Sequence, residues 1–168
     1  MNSLPEIALI MEKMIERNKG ELHDIEHFTH VWTYARTIGI LECLDELSQY
    51  ILEVSAITHD IACPLCRIKY GFTAAKYQET EGLMMAADFL KELDMPEEII
   101  SRIKYLVGHH HTYSLIDGTD FQILVEADYI VNAMEKQYPE ENIRRFMESV
   151  MKTRTGKKML ASVFDLPC

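Results

Sequence analysis

Metal-ligating side chains sit in this sequence at places where a helical protein would otherwise put apolar ones. On a wheel of 100° per residue, Val31, Tyr34, Ile38 and Leu41 all fall within about 40° of His27, which puts that histidine at the centre of an apolar stripe. A buried, unpaired imidazole costs on the order of 1 to 3 kcal/mol, so His27 needs a partner. Asp128 lies four residues after Leu124 and three before Val131. It sits at the border of another apolar stripe, and an ionised carboxylate there needs a cation or several donors. Taken alone, His27 reads as a core histidine bonded to a backbone carbonyl, and Asp128 as a helix-helix hydrogen-bonding residue. Glu126, on the opposite side of the wheel, reads as solvated. His59-Asp60 closes an apolar run, Ile51 to Ile57, with two ligand types side by side. Both can reach one ion only if it lies off the end of that helix. A second such dipeptide, His23-Asp24, reads more simply as a helix cap.

The elements that must position these side chains are helical. Apolar residues recur at helical spacing in nearly every long segment, and the alternation of β-branched residues that marks a strand is missing. Ser3-Leu4-Pro5-Glu6 has capping-box form and opens a helix to about Asn18. Asp24 is expected to cap a second helix to about Leu44, and Asp45 a third to about Asp60. With Pro64 and Gly71, residues 61–77 read as a loop or short turns. A fourth helix is expected over about Thr80–Leu93, and Asp94-Met95-Pro96-Glu97 opens a fifth that ends near Gly108. After a loop over His109–Thr119, Asp120 caps a sixth helix to about Gln137, Pro139 opens a seventh, and a short helix follows Gly156. The fold class is therefore all-α, a single-domain bundle of about 6 to 8 helices over residues 1–168.

Composition limits the function. With 48% apolar and 26% charged residues the 168-residue chain reads as one ordinary globular domain. Its 17 basic against 27 acidic residues give a net charge of −10, which argues against nucleic acid as a partner, because backbone binding needs clustered Lys and Arg. A small phosphorylated substrate is still compatible, since a bound metal inverts the local field. The first twenty residues carry Glu6 and Glu12 inside their apolar stretch and read as neither signal peptide nor membrane span. Four cysteines without a secretion signal fit free thiols and a cytoplasmic location. Cys63-Pro64-Leu65-Cys66 has zinc or redox spacing but lacks a second ligand pair, and reads as two semi-buried thiols. The Met-rich pieces (Met84, Met85, Met147, Met151) fit core or homodimer packing.

In combination, H27-x-x-H-V-W-x-x-A, I57-T-H-D-I61, G108-H-H-H111 and E126-A-D128 resemble the HD-domain superfamily of metal-dependent phosphohydrolases. The resemblance covers a motif core from about residue 26 to 129. It implies an HD-type helical fold with His27, His59, Asp60 and Asp128 as metal ligands. Two imidazoles and two carboxylates suit Mn²⁺, Fe²⁺, Co²⁺, Ni²⁺ or Zn²⁺, as one or two ions. For a second ion the resemblance points to His109 and His110. The chain departs from many relatives at His30, where they place Arg, at Ala62, where they place Gly, and at Tyr77 to Gly82, where two-metal relatives carry a His. There Glu79 or Glu81 is a candidate ligand or proton acceptor, with Asp60 bridging metal and water. Lys69 and Lys76, in the most basic stretch beside the expected metal, are the candidates for binding phosphoryl oxygens. The implied activity is hydrolysis of a nucleotide or another small phosphoester or phosphoanhydride by a metal-activated water. The alternatives are a di-iron oxygenase on the same scaffold and a non-catalytic, metal-stabilised binding or signalling module.

Overall fold

In a computed structural model, which describes residues 4–167, every regular element is helical. Among the described residues the order is α1 (Ile7–Arg17), α2 (Leu22–Leu41), α3 (Glu46–Thr58), α4 (Cys63–Tyr70), α5 (Ala75–Lys91), α6 (Glu97–Val107), a 3₁₀ turn (Tyr113–Leu115), α7 (Thr119–Glu135), α8 (Glu140–Ser149) and α9 (Arg154–Val163). The all-α expectation holds. Ser3, the expected first cap, lies outside the described residues.

The expected loop over 61–77 contains α4. Its two apparent breakers are in fact its punctuation: Pro64 sits in the first turn, where its missing N–H costs nothing, and Gly71 closes the helix in the left-handed region at φ 82°. α5 also starts earlier than expected, at Ala75. Asp45 caps α3 as expected, accepting from the amides of Leu47 and Ser48. Other acidic residues serve differently. Asp24 lies inside the first turn of α2 and pairs with Arg67. Asp94 takes a left-handed conformation (φ 55°) after α5, and Asp120 binds Arg102.

α2, α3 and α7 form the centre. α2 packs on both others, α3 also carries α1 and α6, and α5 lies on α6. α3 is buried over every residue from Ile51 to Thr58, so it shows no solvent face over its second half. α7 is similarly enclosed from Asp120 to Asp128. Its far side is covered by α9 and the segment before it, which corrects the expectation for Glu126. That carboxylate is fully buried, accepting from Gln122 Nε2 at 2.7 Å, from the amides of Lys152 and Thr153 at 2.7 and 3.0 Å, and from the Thr153 hydroxyl. Gly156 makes that approach feasible, because a Cβ there would run into the Glu126 carboxylate and the Thr153 hydroxyl. No described helix is long and apolar enough to cross a membrane.

Candidate metal centre

The three central helices deliver four side chains to one point. α2 presents His27 from its buried stripe, α7 presents Asp128, and the end of α3 presents His59 as its C-cap, with Asp60 following in the turn. Off-end placement thus lets the adjacent His59 and Asp60 converge. His27, His59 and Asp128 are 4%, 0% and 6% exposed.

Three imidazoles are tied in the same way. His59 Nδ1–H donates to the Ala56 carbonyl at 2.9 Å, His110 Nδ1–H to the Val107 carbonyl at 2.7 Å, and His27 Nδ1–H to the Glu135 carboxylate at 3.0 and 3.1 Å. A carbonyl or carboxylate can only accept, so each ring keeps its Nε2 lone pair free. Those lone pairs converge on carboxylates. His27 Nε2 lies 3.2 Å from His59 Nε2, 3.2 Å from Asp128 Oδ1 and 3.5 Å from Asp60 Oδ2. His59 Nε2 lies 3.4 Å from Asp128 Oδ1 and 3.7 Å from Asp60 Oδ2. Donors about 2.1 Å from a shared ion are separated by roughly 3.0 to 3.4 Å for angles between octahedral and tetrahedral. The residues present therefore fit a divalent cation.

Asp60 belongs to two groups. His27, His59 and Asp60 have ligand atoms within 4.8 Å of one another, and so do Asp60, His110 and His111. Asp60 Oδ1 and His110 Nε2, 3.5 Å apart, are both buried without a hydrogen-bond partner among the described residues. Such orphaned atoms are what a cation or its water would satisfy.

Electrostatics point the same way. Burial alone would raise the pKa of Asp60 and Asp128, yet the surrounding imidazoles hold both well below the carboxylate range. Burial opposes charging His27, but its bonds to Asp128 and Glu135 and the field of Asp60 outweigh that and push its pKa up to about 11. The carboxylates thus favour a positive charge at this point. His111, by contrast, is pushed down to about 4 by burial and by His110.

Above these residues opens a cleft of about 280 Å³, lined by His23, Asp24, Arg67, Gln78, His111, Asn132, Glu135 and Lys136 together with His27, Asp60 and Cys63. Arg67 is committed to Asp24 and Glu21. Among the described residues Lys136 Nζ is held by the neutral Asn132 Oδ1 alone, at 2.6 Å, while Asn132 Nδ2 donates to Asp128 Oδ1 at 2.7 Å.

Several expected site residues stand elsewhere. His109 turns away, donating to the Tyr105 carbonyl at 2.7 Å and lying against its ring. His111 takes the place beside His110, because the turn after α6 points successive side chains in different directions. Glu79 accepts from the His111 amide and the Thr112 hydroxyl and so holds that loop in place. Glu81 is bound by Lys69 Nζ and the Tyr70 hydroxyl, each at 2.6 Å. That ion pair neutralises Lys69 outside the cleft, and Lys76 is exposed and also outside it. Within the Tyr77–Gly82 stretch, Gln78 is buried and bonds His111 Nε2 and Cys63 Sγ. Cys63 and Cys66 are buried, free thiols, and burial pushes both pKa values up. Sequence reasoning missed Glu135, Asn132 and Lys136. Their signal was the helical spacing of seven, four and eight residues, respectively, from Asp128.

No family model matches the chain, and no curated protein matches it. Among solved structures, a predicted HD superfamily hydrolase from an uncultured Thermotogales bacterium is similar, with a TM-score of 0.65 and 21% identity over 95% of this chain and 83% of that one. The chain therefore has an HD-domain-like fold, in agreement with the resemblance read from its motifs. Two of its His/Asp groups could hold a metal ion.

Proposed function

We propose that this protein is a metal-dependent phosphohydrolase acting on a nucleotide or another small phosphoester or phosphoanhydride. The observation that carries the reading is Asp60, shared between the His27–His59 group and the His110–His111 group at the floor of an open cleft. The fold of a predicted HD superfamily hydrolase supports it. His27, His59, Asp60 and Asp128 would hold one divalent transition metal, and Asp60 with His110 and His111 a second. Such an ion supplies a water of lowered pKa and a Lewis acid for the phosphoryl oxygen.

The chain's own groups do the rest. Asp60, whose side chain lines the cleft, can accept a hydrogen bond from a water at the cleft floor and so orient it. Lys136, the lining cation without a carboxylate partner among the described residues, binds a phosphoryl oxygen in place of Lys69 and Lys76. A cleft of about 280 Å³ is small for a ligand site and favours a compact phosphoester over a long polyphosphate. In this reading the partner is that small substrate, not nucleic acid or a membrane.

The test is metal analysis of protein purified without chelator, followed by phosphate-release assays with added Mn²⁺, Co²⁺ or Ni²⁺ over a panel of nucleotides and small phosphoesters. We expect at least one bound ion per chain and metal-dependent phosphate release that Asp60→Asn abolishes. Bound iron with oxygen consumption and no phosphate release would establish the oxygenase alternative. Metal binding without turnover would establish the binding module, and negligible metal affinity overturns the scheme.

A further inference from the structure

We infer that Glu135 is the positioning residue of the metal centre, the group that sets the tautomer and ring orientation of His27. The inference rests on the metal site proposed above but not on the hydrolytic reaction. Glu135 ends α7 seven residues after Asp128, two helical turns on, so one face of α7 carries both a ligand candidate and the group behind another. Both its carboxylate oxygens lie within 3.0 to 3.1 Å of His27 Nδ1.

The other two inward imidazoles take their tautomer from their own elements, through carbonyls three residues back, Ala56 for His59 and Val107 for His110. Their orientation is therefore settled as soon as the local turn forms. His27 differs. Its Nδ1 partner comes from a helix 108 residues away in sequence and carries a charge. A carboxylate behind an imidazole fixes which nitrogen bears the hydrogen and makes the other a stronger donor to a cation. Glu135 also faces His23, whose Nε2 lies 3.5 Å from it and whose ring lies parallel to that of His27 with centroids 6.3 Å apart.

The experiment measures Zn²⁺ and Mn²⁺ affinity of the full chain by competition with a chromophoric chelator, for wild type, Glu135→Ala and Glu135→Gln. It also reads the ¹⁵N shifts of the His27 ring in the Zn²⁺-loaded protein. Glu135→Ala is expected to weaken both metals by about 10- to 100-fold. Glu135→Gln, whose amide oxygen can still accept from Nδ1–H, is expected to recover most of that loss. The wild type should show the Nδ1–H tautomer. Unchanged affinity in Glu135→Ala overturns the inference, as does a Gln variant as weak as the Ala variant, which would show charge and not orientation to matter. If Glu135→Ala fails to fold, the wild-type ring decides, since an Nε2–H tautomer overturns the inference and an Nδ1–H tautomer with near-native affinity in Glu135→Gln supports it. A wild type that binds neither metal removes both this inference and the hydrolase reading. Tight wild-type binding matched by Glu135→Ala removes this inference alone.

Discussion

The Nε2 atoms of His27 and His59 face each other at 3.2 Å, although both rings have committed their Nδ1 hydrogens elsewhere, to Glu135 and to the Ala56 carbonyl. Two bare lone pairs at that distance, flanked by Asp60 and Asp128, cannot satisfy one another. A proton held on His27 relieves the conflict in the metal-free chain, which is why the surrounding carboxylates raise its pKa so far. A divalent cation held by all four groups, as proposed, would relieve it more completely.

Metal binding should therefore stabilise the fold. An ion present at about 100 times its Kd contributes roughly 2.7 kcal/mol, and in a chain of this size each kcal/mol moves Tm by about 2 to 4 °C. Saturating Mn²⁺ or Zn²⁺ is expected to raise Tm by about 5 to 10 °C in a thermal melt. His59→Ala should abolish that response. A wild-type melt indifferent to both metals would remove the cation from the account.

Asp60 separates a catalytic centre from a structural one. Its side chain is 20% exposed, faces the cleft and makes no backbone hydrogen bond among the described residues, so the fold does not lean on it. Asp60→Asn is expected to lower metal-dependent phosphate release by more than about 100-fold, while the metal-free protein melts within a few degrees of wild type. Unfolding of that variant at room temperature, seen by circular dichroism, would favour the structural-metal reading.

The helical class was legible in the sequence because periodicity reports which face a residue takes, and polar residues on apolar faces, such as His27 and Asp128, stand out; that residues 27, 59, 60 and 128 belong together came from the resemblance of their motifs to the HD-domain superfamily, not from periodicity. What was illegible depends on a second element. Glu126 looked solvent-facing because the wheel of α7 says nothing about α9 lying over its far side. Asp24 looked like a cap because its true partner, Arg67, sits 43 residues away. Choosing among His109, His110 and His111 required the direction of each side chain in a turn, for which no period exists. Pro64 and Gly71 read as loop residues because breakers look alike whether they interrupt a helix or frame a short one.

Lys136 is the lysine that lines the cleft among the described residues. Removing its charge would take away the proposed phosphoryl contact together with its bond to Asn132 Oδ1, while Asn132 Nδ2 keeps its bonds to Asp128 and Glu135 its bond to His27. With a substrate from the phosphate-release panel, Lys136→Met is expected to lower kcat/KM by about tenfold or more, or about 1.4 kcal/mol. Lys69→Met and Lys76→Met should leave it near wild type. Equal losses in all three variants would point to long-range attraction of the anion in place of a specific contact.

The last prediction concerns the side of α7 that faces away from the cleft. Glu126 gathers four donors, from Gln122, the amides of Lys152 and Thr153, and the Thr153 hydroxyl, and so fastens the segment before α9 to the central helix. Glu126→Ala leaves the buried Thr153 amide and hydroxyl without their acceptor, while Gln122 Nε2 keeps the Val150 carbonyl, and each buried donor so stranded costs about 1 to 3 kcal/mol where water cannot enter. The expected loss is about 3 kcal/mol or more in urea unfolding. Gly156→Ala attacks the same contact from the other side, by placing a methyl group against the carboxylate, and is expected to cost about 1 to 3 kcal/mol. Because both act on one interaction, the double variant should lose less than the sum of the singles. Zn²⁺ affinity should be unchanged in the folded fraction of each, since Glu126 and Asp128 point to opposite sides of α7. A fall in metal affinity equal to that of a ligand variant would show that α9 sets the position of Asp128.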